Sequence, residues 1–313
     1  MIQYLIILLN DAAVSYCHYS AGKPEQEIPK EVLKKGLLYA MKENLTIQYV
    51  YPHTRISSDL SDALDEMYNS KIMPSDHIDR KVADVIIFDN MDKFIADNLS
   101  DDTAFVLRIN KINLFKWYKE IAIKISTGKR ISIVITDIDK FTEDDFKIYS
   151  SVLETFKTRT LLAYEKGKNV QLNLLCDRLV LDRMNNCEAG VNNITLAPNG
   201  KFYICPAFYY EDEADDIGDL KKGIAIKNAQ LYQLDHAPLC RRCDAYQCHR
   251  CVWLNRMTTL EVNTPSHEQC VVAHLERNAS RNLLLEARNI GEFLPDKEIK
   301  KIDYLDPFDI ITH

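Results

Sequence analysis

The sequence has no stretch of about eighteen consecutive apolar residues, so we expect no membrane-spanning helix. It also has no long run of Lys or Arg, and its net charge is -7. Nucleic acids and membranes are therefore not expected partners. Glycine is scarce, at 9 of 313 residues, and no two glycines are adjacent. The sequence therefore cannot form a turn that requires two adjacent glycines.

The N-terminal segment MIQYLIILLN is apolar but short. It has no Lys or Arg before the apolar run and no small-residue cleavage site, so we predict a buried strand rather than a signal peptide. These features predict a cytoplasmic protein. In that compartment thiols stay reduced, and clustered cysteines bind metal more often than they form disulfides.

Strand-length apolar runs alternate with segments of helical period over residues 1–176. The predicted strands cover residues 3–9, 46–51, 84–89, 104–109, 130–138 and 170–176. The first predicted helix covers residues 30–44, directly after Pro29. Further predicted helices cover residues 57–69, 91–98, 114–126 and 143–166. This order indicates an α/β fold with a parallel sheet covered by helices. Six repeats are compatible with an open doubly wound sheet or with a partial barrel, and the periodicity does not choose between them.

The pattern changes after Cys187. ITLAPNGKFYIC predicts a hairpin with its turn at Asn199 and Gly200. YYEDEADD predicts a loop, residues 220–234 a partly helical segment, and residues 268–289 a long helix. We therefore predict a first domain over 1–176, a small cysteine-rich domain over 177–290, and a C-terminal tail over 291–313.

Eight of the nine cysteines lie in the second half of the chain, and only Cys17 lies in the first. Four of them form Cys240-x2-Cys243-x4-Cys248-x2-Cys251. The seven cysteines from Cys187 onward are too many for one tetrahedral ion and nearly enough for two four-ligand centres. Iron-sulfur clusters suit adjoining pairs, because a zinc site usually separates its pairs by a dozen or more residues. Structural zinc and simple buried thiols are the alternatives.

The full pattern is a cysteine, a gap, Gly200-x4-Cys205, a long gap, the four-cysteine segment, a gap and Cys270. It resembles the SPASM domain, the cluster-binding extension of radical S-adenosylmethionine peptide-modifying enzymes. Those enzymes carry a partial β/α barrel in front of that domain. The resemblance therefore implies a partial six-repeat TIM-like barrel followed by a small SPASM-like domain. The central spacing, x4 then x2, is one residue shorter in both intervals than the x5 then x3 of that domain.

The resemblance also implies two auxiliary [4Fe-4S] clusters. Its ligands for the first cluster are Cys187, Cys205 and Cys251, with Cys176 as a fourth candidate. Its ligands for the second cluster are Cys240, Cys243, Cys248 and Cys270. Cys176 is also explained as a buried structural thiol at the end of an apolar strand.

Radical enzymes bind a further cluster through Cys-x3-Cys-x2-Cys after the first strand. If Cys17 takes the last of these positions, the other two fall on Asn10 and Val14, so the cluster lacks adequate anchoring. A Gly-Gly-Glu type turn after the second strand is also missing. We therefore expect a degenerate S-adenosylmethionine site. The group called CXXX-repeat peptide maturases combines both features, and its opening is similar to the strand followed by SYCHY.

This resemblance implies that the chain takes part in maturing a ribosomally made, cysteine-rich repeat peptide. It would bind the precursor, with an intact radical S-adenosylmethionine enzyme as one option for its partner. A second hypothesis is a zinc-stabilised module that binds peptides or proteins without redox chemistry. A third is an enzyme that uses Cys17 as a nucleophile near His18. The sequence assigns no catalytic residue.

Overall fold

The computed structural model describes residues 2–64, 67–99, 103–126, 130–184, 187–291 and 293–297. The chain forms two compact units, each built from two separate segments. The first unit contains residues 1–88 and 188–237, and the second contains 89–187 and 238–313. The predicted boundaries at residues 176 and 290 stay a prediction. Most of the predicted tail, residues 292 and 298–313, lies outside the described residues.

The strands of the described residues are, in chain order, β1 (Tyr4–Leu8), β2 (Thr46–Val50), β3 (Asn69–Pro74), β4 (Val85–Phe88), β5 (Ala104–Ile109), β6 (Arg130–Ile135), β7 (Gln171–Leu172), β8 (Asn193–Leu196), β9 (Lys201–Tyr203), β10 (Gly218–Asp219) and β11 (Gly223–Ile224). The α-helices are α1 (Lys30–Glu43), α2 (Ser58–Leu64), α3 (Met91–Ala96), α4 (Lys111–Ile125), α5 (Glu143–Glu165), α6 (Asn173–Val180), α7 (Pro206–Glu211), α8 (Val252–Thr259) and α9 (His267–Arg288).

A sheet with the order β11-β10-β9-β8-β1-β2-β3-β4 forms the first unit. The strands from β8 to β4 in this order are parallel, and β9, β10 and β11 are antiparallel. Strand β1 lies between β8 and β2, which explains why its residues are almost all apolar and buried. Gly36 on α1 has no room for a Cβ, because that atom would lie 2.4 Å from Leu196 Cδ2, so α1 approaches β8 closely.

The second unit contains the parallel strands β5, β6 and β7, with α4, α5, α6 and α9 among its helices. Strand β7 ends after Leu172 because the Asn173 side chain takes over its hydrogen bonds. Asn173 Oδ1 accepts from Ile133 N at 2.8 Å, and Nδ2 donates to Ile133 O at 3.0 Å. The apolar residues that follow have a helical period and form α6, which the Arg130–Asp177 ion pair anchors to β6.

The structure confirms the parallel α/β class and most predicted elements, including the β8–β9 hairpin and the long helix α9. Three predictions are wrong. The strand over 170–176 is only two residues long, so Cys176 lies on α6 and not at a strand end. The helix predicted over 57–69 is too long, because Asn69 already belongs to β3, a strand that was not predicted, while α2 covers Ser58–Leu64. The YYEDEADD segment begins inside α7 rather than in a loop.

None of the helices in the described part of the chain is both long and apolar enough to cross a membrane.

Candidate metal centre

The four-cysteine segment is an irregular loop in the second unit that ends at the N-cap of α8. Backbone hydrogen bonds close two turns in it, from Cys243 N to Cys240 O at 3.0 Å and from Cys248 N to Ala245 O at 2.9 Å. Two backbone N–H groups point at sulfur: Ala245 N lies 3.4 Å from Cys243 Sγ, and Arg250 N lies 3.4 Å from Cys248 Sγ. Hydrogen bonds of this kind stabilise a sulfur atom that carries negative charge.

Side chains between Cys243 and Cys248 anchor the loop to two helices. Asp244 accepts hydrogen bonds from Arg178 of α6 at 3.4 Å and from Arg277 of α9 at 3.3 Å. Gln247 Nε2 donates to Ala273 O of α9 at 2.7 Å. These hydrogen bonds hold the four residues between Cys243 and Cys248 against α6 and α9.

Burial controls the acidity of the thiols in this loop. It raises the pKa of Cys240 to about 11 and that of Cys243 to about 12, and it also raises the pKa of Cys248. A buried thiol becomes a thiolate when a metal replaces its proton. Without a metal, the raised pKa values keep the three thiols protonated at neutral pH, which disfavours nucleophilic attack by them.

Arg250 adds a positive charge to this region. Its side chain is 3 % exposed, and burial lowers its pKa while the charges of Cys240, Cys187 and Cys248 raise it. Its backbone has a φ of 43°, in the left-handed region that residues other than glycine seldom adopt. Strain of this kind concentrates at functional sites. A guanidinium among three cysteines would balance the charge of metal-bound thiolates.

Helix α9 contributes a residue that sequence reasoning missed. His274 Nε2 lies 3.5 Å from Cys243 Sγ, and the side chain is buried. Cys270, the predicted fourth ligand, lies four residues earlier on α9 and therefore on the same side of the helix. That i, i+4 spacing was the available signal for His274.

The predicted first-cluster ligands are divided between the two units. Cys187 and Cys251 lie in the second unit, where Cys187 N donates to His249 O at 3.0 Å. Cys205 lies in the first unit. Cys176 is buried on α6, and its sulfur lies 3.3 Å from Tyr164 Oη. The ligand set of the first cluster therefore stays a prediction.

The fit of the loop to a metal depends on the kind of site. Among the described residues, no three His, Cys, Asp or Glu side chains are arranged to hold a single metal ion. A four-iron cluster is bound by one thiolate on each iron, so its ligands do not converge on one point. The buried Cys240 thiol, the N–H groups directed at Cys243 and Cys248, and the buried Arg250 guanidinium fit such a cluster.

The loop after β1 does not fit the cluster of a radical enzyme. Asn10 is buried, and its Oδ1 accepts from Ala12 N at 2.8 Å and from Gln26 N at 3.2 Å, so this side chain holds the loop together. Val14 is buried too, and its N–H donates to Tyr51 O at 2.9 Å, beyond the end of β2. Neither side chain is a thiolate, so if Cys17 takes the last position of the motif, structural residues hold the other two.

Cys17 lies in the same loop and is half-buried. The neighbouring Tyr19 is buried and stacks on Tyr210, with 5.5 Å between ring centroids. Burial raises the pKa of Tyr19, and the charges of Tyr16, Tyr210, Cys17 and Cys205 raise it further. Cys17 therefore belongs to the surroundings that raise the pKa of a buried tyrosine in the same loop.

No protein-family model and no curated protein matches the chain. Solved structures of anSMEcpe, an anaerobic sulfatase-maturating enzyme of the radical S-adenosylmethionine and SPASM class, are similar in fold. The structure with bound AdoMet has 12 % identity and a TM-score of 0.65, and the match covers 95 % of this chain and 98 % of that one. The structure with AdoMet and the Cp18Cys peptide has 12 % identity and a TM-score of 0.61, and the match covers 92 % of this chain and 99 % of that one. The structure with AdoMet and the Kp18Cys peptide has 12 % identity and a TM-score of 0.62, and the match covers 91 % of this chain and 99 % of that one. The fold is therefore that of radical S-adenosylmethionine enzymes.

Proposed function

We propose that this chain is a SPASM-type iron-sulfur protein that takes part in maturing a ribosomally made, cysteine-rich repeat peptide. The observation that carries the proposal is the loop in which Cys240, Cys243 and Cys248 lie near the buried Arg250, with backbone N–H groups directed at two of the sulfurs, in a chain with this fold. The neighbours in fold are described with bound peptide, which supports a peptide as the partner here. The sequence resemblance to CXXX-repeat peptide maturases specifies the kind of peptide.

Two [4Fe-4S] clusters are the proposed cofactors. Cys240, Cys243, Cys248 and Cys270 hold the second cluster, and Cys187, Cys205 and Cys251 hold the first. In this proposal Cys176 is a structural thiol, so the first cluster lacks a fourth cysteine. An iron without a protein ligand accepts a thiolate from the peptide, and the cluster then serves as an anchor for the substrate.

The chain binds the precursor but does not itself cleave S-adenosylmethionine. Asn10 and Val14 occupy two of the positions where a radical enzyme has cysteines, and both are buried structural residues. An intact radical enzyme is therefore the proposed partner that supplies the radical. The catalytic residues of this chain remain unassigned in the proposal.

Metal analysis tests the proposal. The protein is purified without oxygen, iron, sulfide and zinc are counted per chain, and an EPR spectrum is recorded after reduction. We expect about eight irons with equal sulfide. About twelve irons would contradict the degenerate first site, because a third cluster would be present. Zinc without sulfide would overturn the redox role and leave a zinc-stabilised peptide-binding module.

A second experiment tests peptide binding. A synthetic peptide with repeated Cys-x-x-x units is titrated into the iron-loaded protein, and the same peptide with Ser in place of Cys is the control. We expect the cysteine peptide to bind more tightly and to change the EPR spectrum of one cluster. Equal binding of both peptides with unchanged spectra would contradict the thiolate anchor.

A further inference from the structure

Cys243 has two hydrogen-bonding groups close to its sulfur. Ala245 N and His274 Nε2 lie 3.4 Å and 3.5 Å from Sγ, and they reach it from the loop and from helix α9 respectively. By comparison, one backbone N–H, that of Arg250, is directed at Cys248 Sγ. Cys243 therefore has a side-chain group as well as a backbone N–H close to its sulfur.

The direction of this hydrogen bond follows from the chemistry of metal binding. A free thiol can donate to an imidazole nitrogen, so in the metal-free protein either atom can be the donor. A cysteine that binds iron has lost its proton, and its sulfur can then only accept. The imidazole must therefore carry its proton on Nε2 when the cluster is bound.

We infer that His274 donates a hydrogen bond from Nε2 to the Cys243 sulfur and thereby raises the reduction potential of the cluster that Cys243 binds. The inference rests on the proposed function, since it requires that cluster. One-electron reduction adds a negative charge to the cluster without making or breaking a bond. Hydrogen bonds to its sulfurs stabilise that charge, so they make the cluster easier to reduce.

The surroundings of the pair agree with this role. His274 is 6 % exposed, so its hydrogen bond competes little with water. Arg277, one turn further along α9, is also buried, and its Nη1 donates at 3.3 Å to Oδ1 of Asp244, the residue after Cys243. The two side chains place a donor and a positive charge on the same side of the cysteine loop. In this inference His274 acts through Cys243 as a positioning residue and is not one of the ligands of the cluster.

The test is a redox titration followed by EPR, with dithionite as the reductant, on the unaltered protein and on His274→Phe and His274→Gln. Phenylalanine has an aromatic ring without a hydrogen-bond donor, whereas the amide of glutamine has an N–H group that can donate. We expect both variants to keep their iron and sulfide. In His274→Phe one cluster should shift to a more negative potential, and in His274→Gln the potential should return towards the original value. His267→Phe, at the exposed start of α9, is the matched control.

An unchanged potential in His274→Phe would overturn the inference. Loss of about four irons from both variants would also overturn it, because His274 would then be a ligand or a folding requirement. Pulsed EPR on unaltered protein made with isotopically labelled histidine tests the same hydrogen bond without a substitution. A weak nitrogen coupling supports a hydrogen bond, whereas a strong coupling or none contradicts it. The iron and sulfide content of the unaltered protein tests the proposed function separately.

Discussion

Glu276 is a carboxyl group buried in the interior of the second unit, close to the cysteine loop. Tyr149 Oη donates to its Oε1 at 2.7 Å, and Gln247 Nε2 lies 3.4 Å from its Oε2. Burial raises its pKa to about 7, while the hydrogen bonds from Tyr149 and Gln247 oppose that shift. The folded protein therefore keeps this proton in a pH range where the unfolded chain has lost it.

This difference predicts a pH-dependent stability. Between the ordinary pKa of 4.5 and the folded value of about 7, the folded state binds more protons, so the free energy of unfolding decreases as the pH rises. The contribution of Glu276 to this decrease is up to about 3 kcal/mol. Glu276→Gln should flatten the decrease, as measured by anaerobic urea unfolding across this range. The exposed Glu261→Gln is the control, and an equal slope in Glu276→Gln would contradict the prediction.

Cys176 illustrates how a buried thiol differs from a ligand. Its side chain is 5 % exposed, contacts Tyr164, and has a pKa that burial raises. We predict that Cys176→Ala keeps all of its iron and loses about 1 kcal/mol of stability, because buried contacts are removed. Iron analysis and urea unfolding measure the two effects. A loss of about four irons would instead make Cys176 the fourth ligand of the first cluster.

At the scale of elements, helix α9 supports the cysteine loop. It carries Cys270, His274 and Arg277 on one side, and its N-terminus is closed by a capping box. Ser266 Oγ accepts from Gln269 N at 3.3 Å, and Gln269 Oε1 accepts from Ser266 N at 3.0 Å. The first turn of the helix, where Cys270 lies, therefore depends on this cap.

Removing the cap should destabilise the protein by a predictable amount. Ser266→Ala should lower the free energy of unfolding by about 1 kcal/mol, whereas Ser266→Gly should lower it by only a few tenths. The difference arises because glycine exposes the helix N-terminus to water more readily than alanine does. Anaerobic urea unfolding of both variants measures it. Equal effects of the two substitutions would show that the cap is not what stabilises this end.

At the scale of the whole molecule, the cysteines are distributed unevenly. Cys17 and Cys205 belong to the first unit, and the other seven belong to the second. The second unit also contains the buried arginines Arg178, Arg250 and Arg277, which lie near the cysteine loop. The second unit thus contains most of the proposed cysteine ligands together with buried arginines, whose positive charge would balance metal-bound thiolates.

The metal content of the whole chain should follow this distribution. Cys243→Ala should lose about four irons and unfold at a lower urea concentration, because ligand loss removes folding free energy. Cys17→Ala should keep all its iron. The two variants are compared by iron analysis, with circular dichroism to confirm that each is folded. A Cys243→Ala protein with full iron content would show that the proposed ligands are wrong.

Periodicity and spacing predicted much of this protein. Alternating strands and helices indicated a parallel α/β fold, because each buried strand and each amphipathic helix leaves a local pattern in the residues. The absence of a Cys-x3-Cys-x2-Cys motif after the first strand was also readable, since that motif is defined by residue type and spacing. The strand over 170–176 was predicted wrongly because its end is determined by the hydrogen bonds of Asn173 to Ile133, forty residues away in sequence.

The sequence by itself determined the fold class, the number of available thiols and the absence of the radical motif, because these depend on residue type and local order. Only the tertiary structure decided that His274 reaches Cys243, that Arg250 is buried near three cysteines, and that Asp244 is held by two arginines. These contacts join α6, α9 and the loop, which are far apart along the chain. No local pattern records them, because they arise only when packing brings the segments together.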